Sequence, residues 1–155
     1  MFTSLYFCLL ANYIFYGIVN IIYFLTKGDD TMVKIGIITQ NIKDLLHLPT
    51  MPDNSIYLGQ SNIVHMQSSH PDDYAKYKDQ IQNILSNPDY VGLNPKDGSI
   101  EYVKNFLVNN EYVKVAVRIS SGNKYYARSI YVLNKRRTEN FIKKGTLKKV
   151  DKHEI

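Results

Sequence analysis

The stretch Ser61–Tyr77, SNIVHMQSSHPDDYAKY, holds two of the four histidines in the chain, His65 and His70, set five residues apart. Two imidazoles around one helix start can ligate a metal, pack into a core, or trade protons with a substrate. Metal ligation fits poorly. A helical ligand pair is spaced i, i+4, and here the expected helix cap falls between the two residues. Asp72, Asp73 and Asp89 could add oxygen ligands, but the sequence has no HExxH, EF-hand or thiolate motif. One cysteine, Cys8, sits in an apolar run, so it supplies no disulfide framework and suits no Cys–His nucleophile pair. GxSxG elbows and phosphate-binding glycine loops are also missing. No metal and no cofactor is expected.

Histidines, cations and hydroxyls remain. Lys104, Lys114, Arg118, Arg128, Ser129 and Tyr131 all fall in runs of period-two hydrophobicity. Lys114 and Arg118 are an even number apart and share one sheet face, with Val113, Val115 and Val117 on the other. By the same alternation Tyr125, Ala127, Ser129 and Tyr131 share a face, with Arg128 opposite. A face of Arg, Ser and Tyr beside histidines has the equipment for metal-free RNA cleavage. A base takes the 2′-OH proton, an acid protonates the departing 5′-oxygen, and cations hold the phosphorane. Ordinary solvated strand faces carry the same residue types, and spacing alone does not separate the two. His47, alone before Pro49, reads as a surface or satisfied core residue.

The elements that must position these side chains follow from pattern. At 155 residues and 45% hydrophobic content the chain suits one domain with a modest core. A formal charge of +5 permits a nucleic-acid or anionic partner without proving one. The 13 tyrosines read as strand residues with one wet edge. Phe2–Leu25 carries no charge and is long enough to span a bilayer as a helix. It lacks the basic start and small-residue cleavage site of a signal peptide. Lys27-Gly28-Asp29 is compatible with codons that contain a ribosome-binding sequence upstream of an ATG for Met32. Residues 1–31 are therefore read as an untranslated leader ahead of a true start at Met32, or else as a membrane helix, with the domain in residues 32–155.

In that domain Asn41–Pro49 predicts a short helix stopped by Pro49, and SIYLG from Ser55 predicts a strand. Ser69 with Asp72 predicts a capping box for a helix opened by Pro71. Its buried stripe is Tyr74, Tyr77, Ile81, Ile84 and Leu85. The Pro/Gly-rich stretch from Pro88 to Gly98 reads as a loop. From Ser99 three strands form an antiparallel meander. A helix capped by Thr138 and stopped by Gly145 precedes a fourth strand in TLKKV. The fold class is α+β, with helices packed on a four-stranded antiparallel sheet.

The run NIVHMQSSHPDDYAKYKDQIQNILSNPDYVGL, followed in order by YVKNF, VKVAVRI, YYARSIYVL and FIKKGTLKKV, resembles the phage-associated barnase–EndoU–colicin–RelE-like nuclease domains. The resemblance covers about Ser55 to Val150. It implies a barnase/RelE-like sheet and metal-independent cleavage of RNA, tRNA or mRNA, by a toxin or a phage or mobile-element effector. An immunity or antitoxin protein would be a partner, and the location cytoplasmic unless residues 2–25 anchor a membrane protein. His65, His70, Arg118, Ser129 and Tyr131 become the catalytic candidates, and Lys104, Lys114 and Arg128 the substrate-binding ones. Asp89 more plausibly orders its loop. A helix dipole at His70 would favour a neutral base there and attract phosphate, leaving His65 as acid. The alternatives are a catalytically silent nucleic-acid-binding module and a membrane-anchored interaction module.

Overall fold

Runs of Val, Ile and Tyr with period-two burial become strands because branched and aromatic side chains pack well on a pleated surface. The computed structural model describes residues 31–151. In chain order these are β1 (Val33–Ile37), α1 (Gln40–Leu46), β2 (Ser55–Leu58), α2 (Gln60–Ser69), α3 (Pro71–Tyr77), a 3-10 turn (Lys78–Gln80), α4 (Ile81–Ser86), β3 (Tyr90–Leu93), β4 (Ile100–Phe106), β5 (Glu111–Ile119), β6 (Tyr125–Leu133), α5 (Lys135–Lys143) and β7 (Leu147–Lys149). Among the described residues no helix is long and apolar enough to cross a membrane. The leader and membrane-helix readings of residues 1–31 fall almost entirely outside the described residues.

The fold is α+β, but the sheet is not four-stranded. Seven strands pair in the order β1-β2-β6-β5-β4-β3-β7. It is also mixed, because β2 runs parallel to β6 while the other pairs are antiparallel. The expected meander is its centre, as β4, β5 and β6. The excess comes from short strands whose pairing is non-local. β3 lies inside the stretch read as a loop, where Pro88, Gly92 and Pro95 mask it. It exists because β4 and β7 flank it on both sides. Gly92 is required there: a Cβ would stand 2.7 Å from the Thr146 carbonyl oxygen of the neighbouring connection.

One face of the sheet carries the main core. Ile100 and Tyr102 of β4, Val113, Val115 and Val117 of β5, and Tyr125, Ala127 and Ile130 of β6 are buried together with Ile81, Ile84 and Leu85 of α4. Each such aliphatic side chain contributes roughly 1.5–3 kcal/mol on full burial. The predicted stripe is therefore real, although a 3-10 turn divides it between α3 and α4. A smaller cluster of Val103, Tyr112 and Leu147, with Ile142 of α5 against it, lies on the opposite face.

Helix boundaries differ from expectation in three places. Ser69 does not cap α3. It is the last residue of α2, and His70 links the two helices with no side-chain cap. The segment Gln60–Ser69 has too few apolar residues for a stripe, and it starts at Gly59, whose N–H donates to Asn62 Oδ1 at 3.2 Å. Thr138 is not a cap either. Asn134 Oδ1 accepts from the Arg137 N–H at 3.1 Å, while buried Thr138 donates to the Asn134 carbonyl at 2.9 Å. α1 ends before Pro49, in a left-handed cap at exposed His47 with φ 54°. Gly145 does stop α5, at φ 72°.

Replacing Gly92 with Ala is expected to destabilise the domain by about 1–3 kcal/mol, the usual cost of overpacking, because the obstacle is backbone. Denaturant unfolding of the Gly92→Ala chain checks this, and a midpoint equal to wild type contradicts it.

Candidate active site

β5 and β6 do not pair one to one. Ala116 pairs with Ser129, but Val117 pairs with Ala127, so Arg128 is an extra residue in β6. Such a bulge shifts the alternation of a strand by one. Before it Tyr125 and Ala127 face the core, and after it Ile130 does, with Val132 packed alongside. Ser129 and Tyr131 thus leave the face of Tyr125 and Ala127. They join Lys114 and Ala116, their direct pairing partners, on the other side of the sheet. The expectation that Tyr125, Ala127, Ser129 and Tyr131 share a face with Arg128 opposite is corrected by this single inserted residue. Lys114 and Arg118 do lie opposite the buried Val113, Val115 and Val117, as read.

The result is a cleft of about 330 Å³ lined by His65, Lys114, Arg118, Arg128, Ser129 and Tyr131, with Asn94, Asp97, Ser99 and Ala116. Its walls come from strands β5 and β6, the β3–β4 connection and helix α2. Beyond Tyr126, β6 no longer pairs with β2, which leaves its outer edge open. The α2–α3 junction covers that edge, and Asp73 Oδ2 accepts from the Val132 N–H at 3.0 Å. α2 straddles the edge: Met66 is buried in the core, whereas exposed His65 lines the cleft. Ser69 Oγ stands 3.5 Å from His65 Nδ1.

His70 does not line the cleft. Its ring stacks on Tyr131, with centroids 4.6 Å apart and planes at 24°. The Lys114 ammonium lies 4.7 Å from the centroid of the same Tyr131 ring. Tyr131 is thus fixed by an imidazole and a cation together. Lys104 is elsewhere. It pairs with Val113, on the core side, and donates to the Asn87 carbonyl at 2.7 Å. It shares a separate depression with Asp89 and Lys149. Asp89 orders its loop as expected, since its Oδ2 accepts from the Asn105 N–H at 2.8 Å.

Two of the three cleft cations, Lys114 and Arg118, are held by carboxylates. Lys114 is nearly buried and donates to Glu101 Oε1 at 2.5 Å. Burial alone would lower its affinity for a proton. The hydrogen bonds and negative charge of Glu101 and Tyr131 outweigh that and hold its pKa above the ordinary lysine value. Arg118 donates to Asp97 Oδ2. Arg128 is exposed and has no ion pair among the described residues. Hydrogen bonds from Ser99, by side chain and backbone, and then Arg118, bring the Asp97 carboxyl down to about 2.

Sequence reading missed Asn94, Asp97, Ser99 and Glu101. A usable signal existed in PKDGS: an Asp followed by Gly is a turn in which the carboxylate binds its own backbone two residues on. Asp97 Oδ1 does accept from the Ser99 N–H at 3.0 Å, and Gly98 takes φ 69°. Nothing local pairs this turn with Arg118. Among the described residues no group of three or more His, Cys, Asp or Glu side chains is placed to hold a metal.

A depressed carboxyl pKa contributes stability above its unfolded value, near 3.9, and loses it as the pH falls through the folded value. The stability difference between wild type and Asp97→Asn is therefore expected to be full at pH 5 and to vanish between about pH 4 and pH 2. Urea unfolding across that range checks the sign; a difference that grows on acidification contradicts it.

The family described as phage-Barnase-EndoU-ColicinE5/D-RelE like nuclease3 has a model that matches residues 33–140. The comparison with curated proteins and the comparison with solved structures gave no match. The match takes in every strand but β7 and every lining residue of the cleft. The chain belongs to this phage-associated nuclease family.

Proposed function

Taking membership of a nuclease family as the premise, we propose that the chain is a metal-independent endoribonuclease that works by 2′-OH attack. One observation carries this reading: a single cleft gathers an imidazole, a phenol, a hydroxyl and cations. His65 removes the proton of the ribose 2′-OH, whose oxygen then bonds to the adjacent phosphorus. Lys114, Arg118 and Arg128 supply positive charge where the phosphorane oxygens develop it. Ser129, beside them, donates a hydrogen bond to the same group. The bond to the 5′-oxygen breaks, and the Tyr131 hydroxyl protonates that oxygen. The nearby Lys114 ammonium stabilises the phenolate left behind. The products are a 2′,3′-cyclic phosphate end and a 5′-hydroxyl end.

His70 serves this chemistry through Tyr131, whose ring it holds by stacking, and so is a positioning residue. Its absence from the cleft lining is also the observation that favours a second reading, a nucleic-acid-binding module with a single imidazole and no turnover. A tRNA or mRNA target, a role as a toxin or mobile-element effector and an immunity or antitoxin partner belong to the proposal only through the family.

The purified chain is expected to cleave bacterial RNA in EDTA and leave cyclic phosphate ends. His65→Ala should lower the rate by about 10²–10⁴, the usual contribution of a positioned acid or base. His70→Ala should lower it less, and Lys104→Ala should leave it unchanged. Replacing ribose by 2′-deoxyribose at the cleaved position should abolish the reaction. Wild-type cleavage by the His65→Ala/His70→Ala chain sinks the assignment. Salt-sensitive binding with no cleavage by wild type selects the second reading.

A further inference from the structure

Beside the cleft, on the same face of the sheet, lies a second cavity of about 390 Å³. That is within the roughly 300–1,000 Å³ typical of small-molecule sites. Its apolar wall includes Leu93, Pro95, Leu133, Phe141 and Leu147. Leu93 and Phe141 are 38% and 36% exposed, which is high for large apolar side chains beside a core cluster. The Arg137 guanidinium lies 5.6 Å from the centroid of the Phe141 ring. Asn94, Lys114 and Tyr131 line both this cavity and the cleft, so the two share a wall. Glu101 lines the cavity as well, and both Lys114 and Asn94 donate to its Oε1, at 2.5 and 3.3 Å.

We propose that this cavity is a nucleobase subsite, holding an unpaired base of the RNA strand whose phosphate occupies the cleft. The inference rests on the nuclease reading above and adds a specificity element to it. A base is a flat apolar ring with polar edges, and aromatic faces and Arg planes are what bases stack on. Phe141 and Arg137 supply those surfaces. Asn94, Glu101 and Asn134 supply a few hydrogen-bonding groups at the margin, where base edges would lie. An apolar peptide side chain would also fit the floor. The basic surface of α5, with Lys135, Arg136, Arg137 and Lys143, and the shared wall with a cation-lined cleft favour a polyanion. Loading the cavity with a base would place the next phosphate against Lys114 and Tyr131, the residues of the common wall.

The test is binding by the full chain, read by fluorescence anisotropy, with two probes. One is a short single strand with 2′-O-methyl sugars, which cannot undergo 2′-OH attack. The other is an abasic sugar–phosphate oligomer of equal length. Phe141→Ala is expected to weaken binding of the base-bearing strand about tenfold, within the range for loss of one stacking partner, and to leave the abasic oligomer unaffected. Phe141→Leu keeps apolar bulk but removes the ring, and should behave as Phe141→Ala does. Equal loss on both probes, or no loss on either, overturns the subsite while the nuclease reading stands. Failure of wild type to bind either probe overturns both.

Discussion

Strand β6 carries one residue more than β5 can pair, and the candidate site depends on where that residue falls. A regular strand sends alternate side chains to opposite faces without exception. Continuous alternation from Tyr125 would have put Ser129 and Tyr131 into the core and turned Ile130 out of it. The extra residue at Arg128 resets the phase. Tyr125, Ala127 and Ile130 all remain buried, and Ser129 and Tyr131 come out beside Ala116 and Lys114. Bulges re-aim side chains in this way near functional sites. Here the core supplies the driving force, since burying Ile130 and excluding a serine hydroxyl both favour the shifted register.

A second arrangement builds on the first. β2 leaves β6 after two paired residues, so the outer N–H groups of β6 would lack partners along the segment that carries Ser129 and Tyr131. The α2–α3 pair packs along this edge. Asp73 accepts from Val132, His70 stacks on Tyr131, and His65 reaches the cleft. The same helix pair therefore satisfies one N–H of the open edge and delivers an imidazole to the cleft. Further along, Lys76 and Tyr77 of α3 bind Glu111 at the start of β5, which pins the helix to the sheet. The positive charge is graded by its partners. Lys114 is tied to Glu101 in a nearly dry setting and Arg118 to Asp97, whereas Arg128 faces solvent. Two cations of the candidate site are thus pre-positioned, with carboxylates fixing their geometry.

Local pattern was a good guide where the interactions are local. Val113, Val115 and Val117 alternate with Lys114 and Arg118 because two-residue periodicity is intrinsic to a strand. Tyr77, Ile81, Ile84 and Leu85 recur as they do because helices repeat every 3.6 residues. Gly145 ends α5 because its left-handed conformation costs other residues more. The weak points were short elements. β3 has four residues with Gly92 inside, and α2 has little apolar periodicity, so only partners distant in the chain hold them. The bulge leaves a trace in the sequence: Tyr125 and Ala127 are odd-numbered, Ile130 and Val132 even-numbered, and the hydrophobic phase changes across Arg128.

The sequence by itself determined the α+β class, the central meander, the buried valine face and the inventory of groups able to act on a phosphodiester. It also carried the family. Tertiary structure decided which of those groups meet. His65 lines the cleft and His70 stacks on Tyr131, although the two are only five residues apart. Lys114 is at the cleft and Lys104 is on the far side, although both lie on central strands. Asp97 binds Arg118 across a sequence separation of 21 residues. The physical reason is that alternation and helical period fix directions only within one element. The relative phase of two elements is set by their register and by the bulge. Those answer to packing between residues far apart in the chain, which no short window of sequence contains.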